Sequence, residues 1–128
     1  MTIRAGADRL SKIRDYKDLA VWQRSMLLAR AVYDLGLRLP DRERFGLTPQ
    51  LQRAAISVPA NIAEGYGRQS TGEYRHHLAI SRGSLLELET LLILCGELGL
   101  GDRSAITVAL EEIGHLSRML SALIAKLK

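Results

Sequence analysis

Apolar residues recur along this chain at three- and four-residue spacing in four separate stretches, each bounded by residues that start or stop helices. In the first stretch Leu19, Trp22, Met26, Ala29, Val32 or Tyr33, and Leu37 form one stripe. That period predicts a helix from about Asp18, read as its N-cap, to Arg38, with Pro40 ending it and Leu39 to Glu43 forming a turn. The second opens at Thr48-Pro49, a capping residue followed by a proline at the first helical position. Leu51, Ala55, Val58 and Ile62 carry its stripe to about Tyr66. Pro59 falls inside that run, but the period resumes in phase at Ile62 and Ala63, which predicts a kink and not an end.

The third stretch begins at Ser70-Thr71-Gly72-Glu73, where Ser70 and Glu73 have capping-box spacing. It continues to about Leu98, roughly 40 Å at 1.5 Å per residue. Gly99 to Gly101 closes it, and Asp102 caps a fourth helix that carries Ile106, Leu110, Ile113, Leu116 or Leu120, and Leu123 to the C-terminus. Long helices joined by short turns predict an all-α fold, an antiparallel up-down-up-down four-helix bundle over residues 16–128. Residues 1–15 precede it as a basic tail.

Composition narrows the picture. A chain of 128 residues supports one core, and an apolar share of 47% excludes disorder as the main state. Cys95 is the only cysteine, so no internal disulfide can form; within the run after Leu91 it is expected to be a small buried hydrophobe. Residues 1–14 hold no apolar core of a signal peptide, and the longest apolar stretch is broken by Glu87, Glu89 and Glu97. No membrane span and a cytoplasmic location are expected.

The net charge of +4 is uneven: residues 1–46 hold ten Lys/Arg against six Asp/Glu, while the rest is nearly balanced. Fourteen of the eighteen cations are Arg, the side chain that grips phosphate with two parallel hydrogen bonds, although a GC-rich gene would give the same bias. Arg4, Arg9, Lys12, Arg14, Lys17, Arg24 and Arg30 are therefore the candidates for nucleic-acid contact.

A polar stripe adjoins the apolar one on the second helix. Gln50, Arg53, Ser57, Asn61 and Glu64 share one face, and Glu73, His77, Ser81, Ser84 and Glu87 repeat the pattern on the third. Solvated helix faces usually carry Lys–Glu pairs, whereas short Ser and Asn side chains let helices approach and hydrogen-bond. The stripe reads as a polar seam within or between subunits, with a ligand-contacting surface and plain solvation as alternatives. If Arg53 belongs to the seam, Arg53→Ala should strand a carboxylate and destabilise the assembly.

Catalytic and metal chemistry find little support. Glu73-x-x-His76 and Glu112-x-x-His115 have the spacing used in di-iron bundles. The turn at Gly99–Gly101, however, sets His76 opposite about residue 124, some 13 Å along the axis from His115. His76, His77 and His115 lack any nucleophile context, and Gly65-Tyr66-Gly67 follows a helix with no strand before it, as no phosphate loop does. Trp22 and Tyr33 occupy core-phase positions and are expected in the core more than on a base-stacking surface. No enzyme, metal or cofactor is expected.

Several segments together resemble one known family. They are Tyr16-Lys-Asp-Leu-Ala-Val-Trp-Gln23, the run from Phe45-Gly-Leu-Thr-Pro-Gln-Leu-Gln-Arg53 through Ser57, Asn61 and Glu64-Gly65, then Ser84-Leu-Leu-Glu-Leu-Glu89 and Leu116-Ser-Arg-Met-Leu120. They resemble the 23S rRNA intervening-sequence proteins. The resemblance implies a four-helix bundle assembled as a ring-like homopentamer, akin to the accessory proteins of diversity-generating retroelements, which bind RNA and a reverse transcriptase. It marks Gln50, Arg53, Ser57, Asn61, Glu64, Ser84 and Glu87 as family motif positions. The function expected is a non-enzymatic oligomeric module associated with RNA, with a protein-interaction scaffold as the alternative.

Overall fold

Four α-helices build the fold, which is taken from a computed structural model describing residues 13–127. They are α1 (Ala20–Leu37), α2 (Leu47–Tyr66), α3 (Thr71–Glu97) and α4 (Arg103–Lys126), with short 3₁₀ turns at Tyr16–Asp18 and Asp41–Glu43. No strand occurs among the described residues. Each helix packs on its two neighbours in chain order, and α4 closes the square against α1, so the bundle is antiparallel as the pattern predicts.

The core runs down the middle of that square. Val32, Leu51, Val58, Ile62, Leu78, Leu85, Leu88, Leu92, Ile113, Leu116 and Leu120 are fully buried. Each large aliphatic side chain placed there contributes about 1.5–3 kcal/mol relative to exposure. Cys95 is buried among them, and burial pushes its thiol above the usual range, so it is a packing residue and not a nucleophile. The α2 stripe lies inward throughout, and α2 continues past Pro59 to Tyr66.

Helix boundaries differ from expectation at two places. Asp18 does not cap α1: it closes a 3₁₀ turn, where its carboxylate accepts the Arg14 N–H at 2.8 Å while Asp15 Oδ1 accepts the Lys17 N–H at 2.8 Å. Leu19 is left as a cap without a side-chain acceptor. Thr48 lies one residue inside α2, and Gly46 is the cap; the first free N–H, on Leu47, is taken by Glu43 Oε1 at 3.2 Å. The Thr48 hydroxyl instead donates to the Gly36 carbonyl at 3.1 Å, tying the head of α2 to the end of α1. Ser70 and Asp102 cap α3 and α4 as the spacing implied.

The stripe on α1 is rotated from the one expected. Val21, Ser25, Leu28, Val32 and Leu35 face inward, whereas Met26, Tyr33 and Leu37 are exposed. Trp22 packs against the core from a half-buried position, edge-on to Tyr16 at 5.4 Å, so of the two aromatic residues only Tyr33 departs from core packing. Ser25 can sit inside because its hydroxyl donates to the Trp22 carbonyl at 2.8 Å.

Candidate functional site

The short polar residues of α2 and α3 meet each other across the helix pair. Asn61 Nδ2 donates to the Ser57 carbonyl at 3.0 Å and contacts Ser57 Oγ at 3.1 Å. Ser84 Oγ donates to the same Ser57 Oγ at 2.8 Å, and Ser81, wholly buried, donates to the Val58 carbonyl at 2.8 Å. Asn61 Oδ1 faces His77 Nδ1 at 3.0 Å. With the amide nitrogen turned to a carbonyl, Oδ1 can only accept, so His77 must carry its proton on Nδ1.

Gly65 sits at the end of this seam. An ideal Cβ there would lie 2.6 Å from His77 Cβ, so only glycine lets α2 and α3 approach so closely.

The remaining motif positions are not part of the bonded chain. Gln50, Arg53, Glu64 and Glu87 are exposed, and Glu64 pairs at 2.6 Å with Arg68 in the turn that follows α2. The pairing of Ser57 with Ser84 brings Arg53 level with Glu87, yet no ion pair joins them. Arg53→Ala therefore strands no carboxylate within one chain.

The candidate phosphate contacts divide in the same way. Arg4, Arg9 and Lys12 lie outside the described residues. Arg14 pairs with Asp18 at 3.8 Å and Lys17 with Asp15 at 3.5 Å, both near the surface, and Arg30 is exposed with no ion pair among the described residues. Arg24 is engaged: its Nε and guanidinium nitrogen grip Glu112 at 2.8 and 2.9 Å, bridging α1 and α4. The hydrogen bonds from Arg24 hold the Glu112 carboxyl below its ordinary value, and Glu112 in turn raises Arg24.

A carboxylate depressed in the folded state stabilises above its unfolded pKa, near 4.5, and loses that contribution as pH falls through the folded value. Glu112→Gln is thus expected to melt below the parent at pH 6–7 and to converge with it near pH 2–3. Parallel melting curves at every pH would refute the assignment.

The same ion pair removes Glu112 from any metal set. Arg82 reaches Ser121 at 3.2 Å, fixing an α3–α4 register in which His76 falls beyond α4's last turns, far from His115. Among the described residues no three His, Cys, Asp or Glu side chains group closely enough to hold a metal ion. No helix among them is long and apolar enough to cross a membrane.

What the polar pattern does not reveal is the apolar surface. Leu27 on α1 and Val108 on α4 are 64% and 62% exposed, and they line a groove of about 520 Å³ between the two helices. Phe45, in the turn before α2, is 87% exposed. In the sequence Phe45 is marked as the first residue of the family-like run and as an aromatic residue in a turn, preceded by Arg42 and Arg44.

The bundle and its seam coincide with a family model, 23S rRNA-intervening sequence protein, which matches residues 17–122. The chain belongs to this family. No curated protein matches it. Within this member, Ser57, Asn61 and Ser84 fasten α2 to α3, while Gln50, Arg53, Glu64 and Glu87 flank that seam at the surface. The matched span begins after the basic tail, so Arg4, Arg9, Lys12 and Arg14 lie outside the family's common unit.

Proposed function

We propose that this intervening-sequence protein is a non-enzymatic, cytoplasmic, self-assembling four-helix module that associates with RNA. One observation carries the assembly half: large apolar side chains stand open on a rigid bundle, Leu27 and Val108 beside one groove and Phe45 on a pinned turn. Exposed apolar surface of this kind marks an interface more often than it marks idle surface. A ring of five copies, which the resemblance implies, would cover it.

The RNA half rests on the family and on charge. Residues 13–127 carry fourteen Lys/Arg against thirteen Asp/Glu, so the bundle is close to neutral and most of the net +4 lies at Arg4, Arg9, Lys12 and Lys128. Assembly multiplies the tail's cations at one place, which turns a modest charge per copy into a strong local field. The near-neutral bundle equally favours a second reading, a scaffold that docks a protein such as a reverse transcriptase and binds no RNA itself.

A salt series on structured RNA separates the two, with subunit count measured on the same sample by light scattering. RNA association predicts affinity falling roughly a hundredfold or more between about 50 and about 200 mM salt, with most of it lost on removing residues 1–12. No binding by an intact oligomer at low salt would leave the scaffold.

A further inference from the structure

Phe45 is held out by structure and not by slack. The turn before it is a 3₁₀ helix, Gly46 N–H bonds back to the Glu43 carbonyl at 2.9 Å, and Glu43 Oε1 takes the Leu47 N–H at 3.2 Å. The ring therefore stands on a fixed stem between the end of α1 and the head of α2. Arg44 lies over it, with the guanidinium carbon 4.9 Å from the ring centroid. Of the four charged residues in this segment three are engaged, Arg44 with Asp41 at 3.9 Å and Glu43 with the Leu47 N–H. Arg42, one turn back from the ring, has no ion pair among the described residues.

The α1–α4 groove has the opposite character. Leu27, Ala31, Ala105 and Val108 form its apolar walls, over a floor of buried Leu28 and Ala109. Asp102 closes one end: one of its oxygens caps Ser104 N–H at 3.3 Å, leaving the other free to accept a guanidinium. The Arg24–Glu112 pair closes the other end as a neutral wall.

An exposed aromatic knob with Arg42 one turn back, unpaired among the described residues, and an apolar slot ending in a carboxylate are complementary in polarity and in charge. They cannot meet within one chain. Phe45 leads into α2, which packs on α1 and α3, whereas the slot opens on the α1–α4 face.

We propose that Phe45 of one copy seats in the α1–α4 groove of a second copy, with Arg42 reaching that copy's Asp102. The proposal rests on the self-association reading above and names its contact. Because knob and slot are different patches, the contact is head-to-tail, and repeating it gives a closed ring where the rotation closes and a filament where it does not. Each copy contributes one knob and one slot, so every contact in the assembly is the same.

The test uses two substitutions at exposed positions, Phe45→Ala and Val108→Lys, each checked for a wild-type helical spectrum and melting. Val108→Lys puts a cation in the slot to repel Arg42, at a position open enough to solvent for the lysine to be tolerated in the monomer. Each variant alone should be monomeric at concentrations where the parent assembles, with association weakened roughly thirty-fold or more, as expected for a central aromatic anchor.

Mixing the two is the deciding step. Phe45→Ala keeps its slot and Val108→Lys keeps its knob, so the mixture retains one good contact and should form a one-to-one dimer that grows no further. Phe45→Trp should preserve assembly. An assembled parent with an assembled Phe45→Ala variant overturns the proposal while leaving self-association standing, and loss of RNA binding in that variant would make Phe45 a base-stacking residue instead. Two monomeric variants that fail to dimerise on mixing also overturn it, because the contact is then not knob into slot. A parent that is monomeric at all concentrations overturns both this contact and the self-association reading.

Discussion

Gly65→Ala is expected to lower the melting temperature of this protein, while the same change at Gly83 is expected to raise it. A Cβ at residue 65 would stand 2.6 Å from His77 Cβ, 3.2 Å from Tyr74 Cδ1 and 3.3 Å from the Tyr74 carbonyl oxygen. None of these is the far end of a flexible side chain, so relief requires α3 to move away from α2. Forcing an extra carbon into a closed contact costs about 1–3 kcal/mol. Alanine returns up to about 1 kcal/mol through its better helix propensity, which does not cover the loss.

At Gly83, on the exposed side of α3, nothing lies within 4 Å of the added carbon, and only the propensity gain remains. For a chain of this size each kcal/mol moves the midpoint by about 3–6 °C. A Gly65→Ala variant as stable as the parent would mean that α2 and α3 are not in this close contact. Gly65→Val should be worse still, since its branch points into the same atoms.

The two glycines look alike in the sequence, and the difference between them shows what the chain discloses and what it withholds. Element type and order are legible because Leu51, Ala55, Val58 and Ile62 repeat with one period and each helix start carries a capping residue. The face of α1 is not. Almost every position from Leu19 to Leu37 is apolar or small, so two stripes satisfy the same period. Packing chooses Val21, Leu28, Val32 and Leu35, and the buried Ser25 disguises that stripe as the polar one.

The rejected stripe, Met26, Tyr33 and Leu37, together with Leu27, then becomes outward apolar surface. The misreading of α1 and the excess of open hydrophobes are thus one fact: this helix is apolar on more sides than one chain can bury. The seam was legible for a different reason. Ser57, Asn61 and Ser84 have side chains too short to serve a solvated face, and short polar groups at helical spacing have few other uses. Their charged neighbours Arg53, Glu64 and Glu87 follow the same spacing but lie at the edge of the face, where spacing alone does not distinguish contact from solvent.

Asn61→Ala should be the most damaging of the polar substitutions, because Asn61 is where the seam's branches join. Its amide nitrogen serves the Ser57 carbonyl and hydroxyl at 3.0 and 3.1 Å, and its oxygen receives His77 Nδ1–H at 3.0 Å. Alanine leaves the histidine N–H without a partner, while Ser57 Oγ keeps the Ser84 hydroxyl. A stranded group of this kind costs about 1–3 kcal/mol, toward the lower end here because the residues are half-buried and water can reach part of the gap. The penalty belongs to the partner left behind, so removing that partner as well should recover part of it. Asn61→Ala combined with His77→Ala is expected to cost less than the sum of the two single changes. The same geometry fixes the tautomer, and nitrogen NMR of neutral His77 should find the proton on Nδ1 in the parent and released to either nitrogen in Asn61→Ala. Strict additivity, with His77 protonated on Nε2 in the parent, would show that the histidine does not donate to Asn61 and that α2 and α3 are fastened by Ser57, Ser81 and Ser84 alone.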